Sequence, residues 1–312
     1  MSVPRAWPQV LDFFGIPLVL EPSSGQLSSD AGLLPIRQFD DRTGLTRAFA
    51  GALDDPRDPG LTEHKFLEMV RSRVYGILAG YADQNDHDTL RADPVFKLVV
   101  DRSPDEGDLA SQPTLSRFEN AISIKSLKRL RDVFLDQFIA SFDTPPRHLT
   151  FDLDAVDDPA HGHQQLTFWH GYYDQNQFLP LVITCAENDQ FAMLSLRPGN
   201  VHAALGADED LAYLVNRLRQ AWPDVALHFR GDCGFGVPTM YEVCEGLRVS
   251  YTFGLSTNAV LQRQTEGLLA EAVATYERER HAARQHEPTR PAVPSRLFTG
   301  FWYRTGASPH AR

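Results

Sequence analysis

The segment LTFDLDAVDD places four carboxylates, Asp152, Asp154, Asp157 and Asp158, within seven residues. In an extended strand alternate side chains share a face, so Asp152 and Asp154 point one way while Phe151 and Leu153 point the other. Acids this close repel one another unless a cation lies among them. An Asp inside a strand also runs against propensity and needs a ligand to compensate its burial. Asp157 and Asp158, beside Pro159, are read first as turn formers and caps. The second locus is VALHFRGDCGFG, where an apolar run ends in Arg230 and Gly231, and Asp232 stands just past the predicted strand's C-terminal end. Open α/β sheets build their sites there, although an Asp in such a place can also simply bond its own turn backbone. Taken together, the two loci bring carboxylate oxygens from separate strands, the donor set that Mg²⁺ prefers, and point to two-metal phosphoryl chemistry.

Other chemistries are weaker. His161, His163 and His170 follow the acids, but AHGHQQ reads as a loop around Gly162, so a transition-metal site is the lesser alternative. No P-loop, nucleophile elbow or dinucleotide glycine fingerprint lies where a strand and helix would require it. Cys185, Cys233 and Cys244 are odd in number and lack C-x-x-C spacing, so they read as buried free thiols rather than a disulfide or zinc framework.

The elements that would position the acids are legible as a change of period. Apolar spacing predicts helices over 61–81, from Thr114, and over 126–142, making the first half mostly α. Pro145 and Pro146 break that pattern, and a domain boundary is placed there. Beyond it, β-type runs at 148–154, 165–173, 179–185, 225–229 and 248–255 alternate late in the chain with helical patterns at 209–222 and 239–245. A mixed sheet with flanking helices follows. A charged helix over 259–287, the Pro-rich PTRPAVPSR and a strand-like LFTGFWYR close the chain. The domains expected are residues 1–145, helical; 146–256, the α/β core; and 257–312, the start of an insertion.

Composition bounds the partners. Hydrophobic residues at 42% and charged residues at 23% suit a folded globular protein. No run approaches the roughly 20 apolar residues of a membrane span, and the first 22 residues show no clear cleavage site, so the expectation is a cytoplasmic protein without a membrane partner. The formal charge of −11 argues against binding nucleic acid over the whole surface but leaves room for a local basic face.

The blocks FDLDAVDDPAHGHQQ, FWHGYYDQNQFLPLVI, LRPGNVHAALGA and FRGDCGFGVPTMYEVCE together resemble the catalytic region of bacterial insertion-sequence DDE transposases, and the segments around 60–99 and SQPTLSRFEN resemble that family's helical leader. The resemblance implies an α/β, ribonuclease H-like mixed sheet preceded by a mostly helical N-terminal domain. It implies a first acid on the first strand and a second just after the fourth, places that Asp154 and Asp232 fit. D-A-V at 154–156 is similar to the family's D-x-T signature with Val156 in place of Thr, and Asp152 is the reserve for the first acid. Two Mg²⁺ ions, or Mn²⁺, would activate water and then a 3′-hydroxyl for attack at the element's ends. The implied partner is double-stranded DNA at terminal inverted repeats, with self-association, at the nucleoid. Arg71, Arg73, Lys125, Lys128, Arg129 and Arg131 are the candidates for contacting that DNA, each with a solvated helix face as the alternative. The family's third acid is a Glu on a helix after an inserted region. Glu266 and Glu271 match no such motif, so no third catalytic Glu is expected in this chain, and the terminal SPHAR suggests a frameshift or early stop. A truncated, catalytically impaired transposase is the leading expectation. A non-catalytic DNA-binding remnant and a Mg²⁺-dependent nuclease that completes its site with Asp152 are the alternatives. A sheet face left without its helix would expose apolar surface.

Overall fold

The computed structural model describes residues 9–13, 16–20, 27–162, 164–286, 296–304 and 311. Two units divide the chain, Met1–Asp143 and Thr144–Arg312. His163, most of the Pro-rich stretch before residue 296 and most of SPHAR lie outside the described residues.

The first unit opens with a hairpin, β1 (Gln9–Phe13) and β2 (Ile16–Leu20), which the sequence pattern did not suggest. Seven α-helices follow among the described residues: α1 (Leu33–Thr43), α2 (Leu45–Ala52), α3 (Phe66–Leu78), α4 (His87–Leu90), α5 (Pro94–Val99), α6 (Gln112–Asn120) and α7 (Ile124–Ala140). Local chemistry sets their ends. Gly44 takes a left-handed φ of 69° between α1 and α2. Asp93 caps α5 by accepting from the N–H groups of Val95 and Phe96, with Pro94 at the first helical position. Ser123 caps α7 by accepting from Ser126. Leu33, Leu34, Tyr75, Phe96, Val99 and Leu109 form one apolar cluster of this unit.

The second unit is built on a five-stranded sheet of order β10-β9-β3-β7-β8, from β3 (His148–Ala155), β7 (Leu181–Cys185), β8 (Phe191–Ser195), β9 (Ala226–Gly231) and β10 (Ser250–Phe253). β3, β9 and β10 run parallel; β7 and β8 are antiparallel to their neighbours. With α8 (Ala207–Ala221) before β9 and α9 (Pro238–Leu247) before β10, this is the ribonuclease H-like mixed sheet. Between β3 and β7 the chain adds a small three-stranded ribbon, β4 (Asp158–Pro159), β6 (Gln175–Phe178) and β5 (Phe168–His170), in the order β4-β6-β5. α10 (Ala259–His286) follows β10.

Alternation gives the sheet two unlike faces. Leu149, Phe151, Leu153, Leu227 and Phe229 are buried together with Leu211, Leu214, Val215 and Leu218 of α8 and Met240 and Cys244 of α9. The opposite face carries Thr150, Asp152 and Asp154 on β3, His228 and Arg230 on β9, and Ser250 and Thr252 on β10, all half-buried or exposed. Polar pairs run across it: His228 faces Ser250 Oγ at 2.9 Å and Thr252 Oγ1 at 3.1 Å. The apolar face expected of a sheet lacking a helix is therefore, across these three strands, a polar one.

Three sequence readings change. The 165–173 run forms only the short β5 and joins the ribbon instead of the main sheet. β8 was unforeseen because a register shift between Ile183 and Thr184 buries two consecutive residues, Ala192 and Met193, and erases the period of two. LFTGFWYR forms no strand; Phe298 and Trp302 stand exposed there.

Candidate active site

β3 and β9 are neighbours in parallel, with Leu153 paired to Gly231. Each strand's next residue is an acid, so this register sets Asp154 and Asp232 beside one another at the C-terminal ends of adjacent strands. Both are exposed. Asp154 accepts no hydrogen bond from the described residues, whereas Asp232 Oδ1 accepts the N–H of Gly234 at 2.8 Å. A side chain at position 234 could not be added without movement, since a Cβ there would lie 2.7 Å from the Ala203 Cβ and 3.0 Å from Asp232 Oδ1. The turn reading of Asp232 is thus correct as local structure, and that turn is what aims the carboxylate.

Asp152 lies one pair back, opposite Arg230. Its two oxygens accept from Arg230 Nε and Nη2, both at 2.6 Å. That bond is the main cause raising the Arg230 guanidinium above its ordinary value. Asp152 therefore has a resident cation, while Asp154 has none among the described residues. Asp157 accepts from Gln175 Nε2 at 3.1 Å and Asp158 begins β4, so these two acids are engaged by the ribbon.

Tyr173, which the sequence reading passed over, feels the charge of this group. Its phenol is pushed up in pKa, first by burial and then by the charges of Asp157, Tyr172, Asp154 and Asp232. The tandem YYDQNQ after the acids was the available signal, but a tyrosine pair in a polar turn has no distinctive period. His161 is exposed and His170 half-buried. Among the described residues no three His, Cys, Asp or Glu side chains gather where they could hold a metal. Glu266 and Glu271 are exposed on α10.

Two acids at the ends of adjacent strands, one of them without a partner, are a hard oxygen donor set and fit a divalent cation of the Mg²⁺ class. Burial pushes the Cys185 thiol up to about 11 and the Cys244 thiol up to about 12. Cys233, however, is exposed, contrary to the expectation of three buried thiols.

The six basic candidates separate sharply. Arg71 is 1% exposed and bonded to Thr46 and Asp101, and Arg73 is 8% exposed and bonded to Glu119 and Ala82. Both guanidinium groups are buried and paired with a carboxylate of the same unit instead of facing outward. On α7, Arg129 reaches Asp54 at 2.6 Å and the Ala52 carbonyl at 2.7 Å, and Arg131 is half-buried. Lys125 and Lys128 are exposed.

Comparison with known proteins places these observations. Residues 13–308 match the family described as transposase DDE domain group 1. No curated protein matches. Among solved structures, the chain is similar to a piggyBac transposase synaptic complex with hairpin DNA at 15% identity and a TM-score of 0.32, covering 69% of this chain and 48% of that one. It is similar to the Drosophila P element transposase strand transfer complex at 14% identity and a TM-score of 0.27, covering 57% and 40%. A simian T-cell lymphotropic virus intasome in complex with PP2A regulatory subunit B56 gamma matches at 12% identity and a TM-score of 0.23, covering 53% of each chain. The chain spans about half the length of these structures. No helix among the described residues is long and apolar enough to cross a membrane. On the family match, which runs through both units and takes in Asp154 and Asp232, the chain belongs to the transposase DDE domain group 1 family.

Proposed function

We propose that the chain is the DNA-handling core of a bacterial insertion-sequence transposase, with Asp154 and Asp232 as the first two acids of its DDE site. The single observation that carries this reading is the Leu153–Gly231 register, which sets the two acids together at the strand ends. Their carboxylates would hold two divalent ions, Mg²⁺ or Mn²⁺, and bound ions would supply activation of a water or 3′-hydroxyl and neutralisation of charge on the phosphodiester. The chain's own residues perform the positioning. Gly234 orients Asp232 through its N–H. Arg230, held by Asp152, keeps a fixed positive charge two residues before Asp232. Lys125 and Lys128 offer exposed positive charge to phosphates of the terminal repeats.

Cleavage by this chain alone is proposed to be weak. The pair lacks a third ligand among the described residues, and Asp152 is engaged by Arg230 instead of completing the set. This favours a second reading, a protein that occupies the element's ends and joins a competent partner. The experiment is nicking of duplex DNA carrying the element's own ends, in Mg²⁺ and in Mn²⁺, by this chain and by Asp154→Ala and Asp232→Ala. Nicking lost in both variants supports the site. End-specific, salt-sensitive binding without nicking supports the second reading. Neither nicking nor end-specific binding would overturn both.

A further inference from the structure

The block LRPGNVHAALGA supplies no acid to the pair, yet it carries Arg197, a cation only 7% exposed. Arg197 pairs with no carboxylate among the described residues. Its Nε donates to the Leu179 carbonyl at 2.8 Å and its Nη1 to the carbonyls of Ala203 at 2.6 Å and Leu205 at 2.9 Å, while Nη2 has no partner there. Burial lowers its pKa, and the charge of Asp210 offsets this in part. A guanidinium buried without a carboxylate is a charge that carbonyl dipoles must compensate. An apolar side chain would fill the same space at lower cost, so what the arginine adds is its fork, which bonds the backbone of two separate segments at once.

Each of those segments backs one of the two acids. Leu179 leads into β7, where Leu181 and Val182 pair with Ala155 and Asp154, and the neighbouring Pro180 carbonyl accepts the Val156 N–H at 3.0 Å. Leu179 is bound to Arg197 a second time, its N–H donating to the Arg197 carbonyl at 3.1 Å. On the other side Ala203 stands against the turn after β9. A Cβ at Gly234 would lie 2.7 Å from the Ala203 Cβ, and it is the Gly234 N–H that Asp232 accepts at 2.8 Å. Two like charges held side by side must keep their separation against their own repulsion. A small divalent ion in turn accepts only a narrow range of donor positions.

We propose that Arg197 is a positioning residue for the acid pair, a strut that sets the spacing of Asp154 and Asp232 by bonding the backbone behind each. The proposal rests on the divalent-ion reading of the pair and adds the residue that holds its two halves together. Arg197 bonds neither acid directly, so it acts on ion affinity through geometry.

Mn²⁺ titration of the full chain, with hydrogen–deuterium exchange on the same samples, tests the strut. Arg197→Gln, which shortens the side chain and removes the fork, should weaken Mn²⁺ binding roughly tenfold or more. It should also raise exchange at 203–206 and at 232–236 together. Val215→Ala, at a buried position of α8, lowers stability away from the strut and should leave Mn²⁺ affinity unchanged. A second pair of variants makes the test with Arg197 intact, whether or not Arg197→Gln folds. Gly234→Ala should weaken Mn²⁺ binding, and adding Ala203→Gly, which removes the carbon it meets, should recover most of the loss. Mn²⁺ binding that depends on Asp232 but is kept in Arg197→Gln, is lost equally in Val215→Ala, or is not recovered by Ala203→Gly would overturn the strut while the acid pair stands. Mn²⁺ binding indifferent to Asp154→Ala and Asp232→Ala, with exchange still raised at both segments by Arg197→Gln, would sink the divalent-ion reading and leave Arg197 as the residue that joins the two strand ends.

Discussion

The two units treat charge in opposite ways. In the helical unit, Arg37 and Arg71 are buried and share Asp101; Arg37 also holds Asp41 and donates to the Val99 carbonyl at 2.7 Å. Asp40 beside them accepts from the Thr46 N–H at 2.8 Å and from the Tyr75 hydroxyl at 2.8 Å. Every one of these ions has its counter-ion and its hydrogen bonds. In the sheet unit, Asp154 and Asp232 are exposed, adjacent and alike in charge. Charge that is buried and paired organises a fold, whereas like charges left together at strand ends cost stability unless a ligand joins them. The difference separates a structural use of ions from the functional one proposed for the acid pair.

The largest break in that contrast comes from Arg71→Ala. Removing Arg71 takes the cation away from the buried Asp40 carboxylate, at a cost of about 3–5 kcal/mol. Urea unfolding of this variant should show the loss, and Arg71→Met should show it as well, because it also removes the cation beside Asp40. A loss under about 1 kcal/mol would return Arg71 to the surface role that its sequence position suggested.

His87 gives the next effect. Its ring is buried beside Arg73, whose Nη1 lies 3.2 Å from His87 Nε2, and burial first and then that positive charge lower its pKa to about 4. The folded value lies below the ordinary 6.5, so as the pH falls the unfolded chain binds this proton first. The stabilisation is complete above about pH 6.5 and is lost between there and about pH 4, at most about 3 kcal/mol. Denaturation midpoints across that window should fall with pH, and His87→Gln should flatten the fall. An unchanged slope in the variant would assign the acid sensitivity to other groups.

At the acid pair the effect should appear in ligand binding while stability is spared. Mn²⁺ titration of the chain is expected to show binding weakened about a hundredfold, or about 2.7 kcal/mol, by Asp154→Ala and by Asp232→Ala. Thermal stability in the absence of metal should stay within about 0.5 kcal/mol or rise, since each variant removes a like-charge neighbour. A large destabilisation without metal would make these acids structural and erase the contrast.

How much of this was legible in the sequence follows the same division. Leu149, Phe151 and Leu153 alternate with Thr150, Asp152 and Asp154, and a strand of period two writes its faces directly into the chain. The acids at both strand ends were therefore readable, as were the long amphipathic helices. β8 was not, because its register shift breaks the period, and QNQF of β6 was not, because a ribbon standing off the core has no apolar face to announce. The burial of Arg71 and Arg73 was hidden for a third reason. Arg71 and Arg73 sit on a helix whose spacing shows which positions face inward, but nothing local shows that Asp101 and Glu119 arrive from distant segments to neutralise them.

Asp152 sharpens the comparison with the smallest effect, since it is an acid of the sheet unit treated as the helical unit treats its own. It is paired with Arg230 through two bonds of 2.6 Å, yet the side chains of the pair are 40% and 50% exposed. Exposed pairs contribute about 0–1 kcal/mol, because solvent screens them and holding two side chains costs entropy. Asp152→Asn should therefore lower stability by less than about 1 kcal/mol and leave Mn²⁺ affinity within about threefold. Chemical denaturation and the same Mn²⁺ titration measure both. A hundredfold loss of Mn²⁺ binding in Asp152→Asn would make Asp152 a first acid of the site, and pairing with a cation would no longer distinguish structural carboxylates from functional ones on this strand.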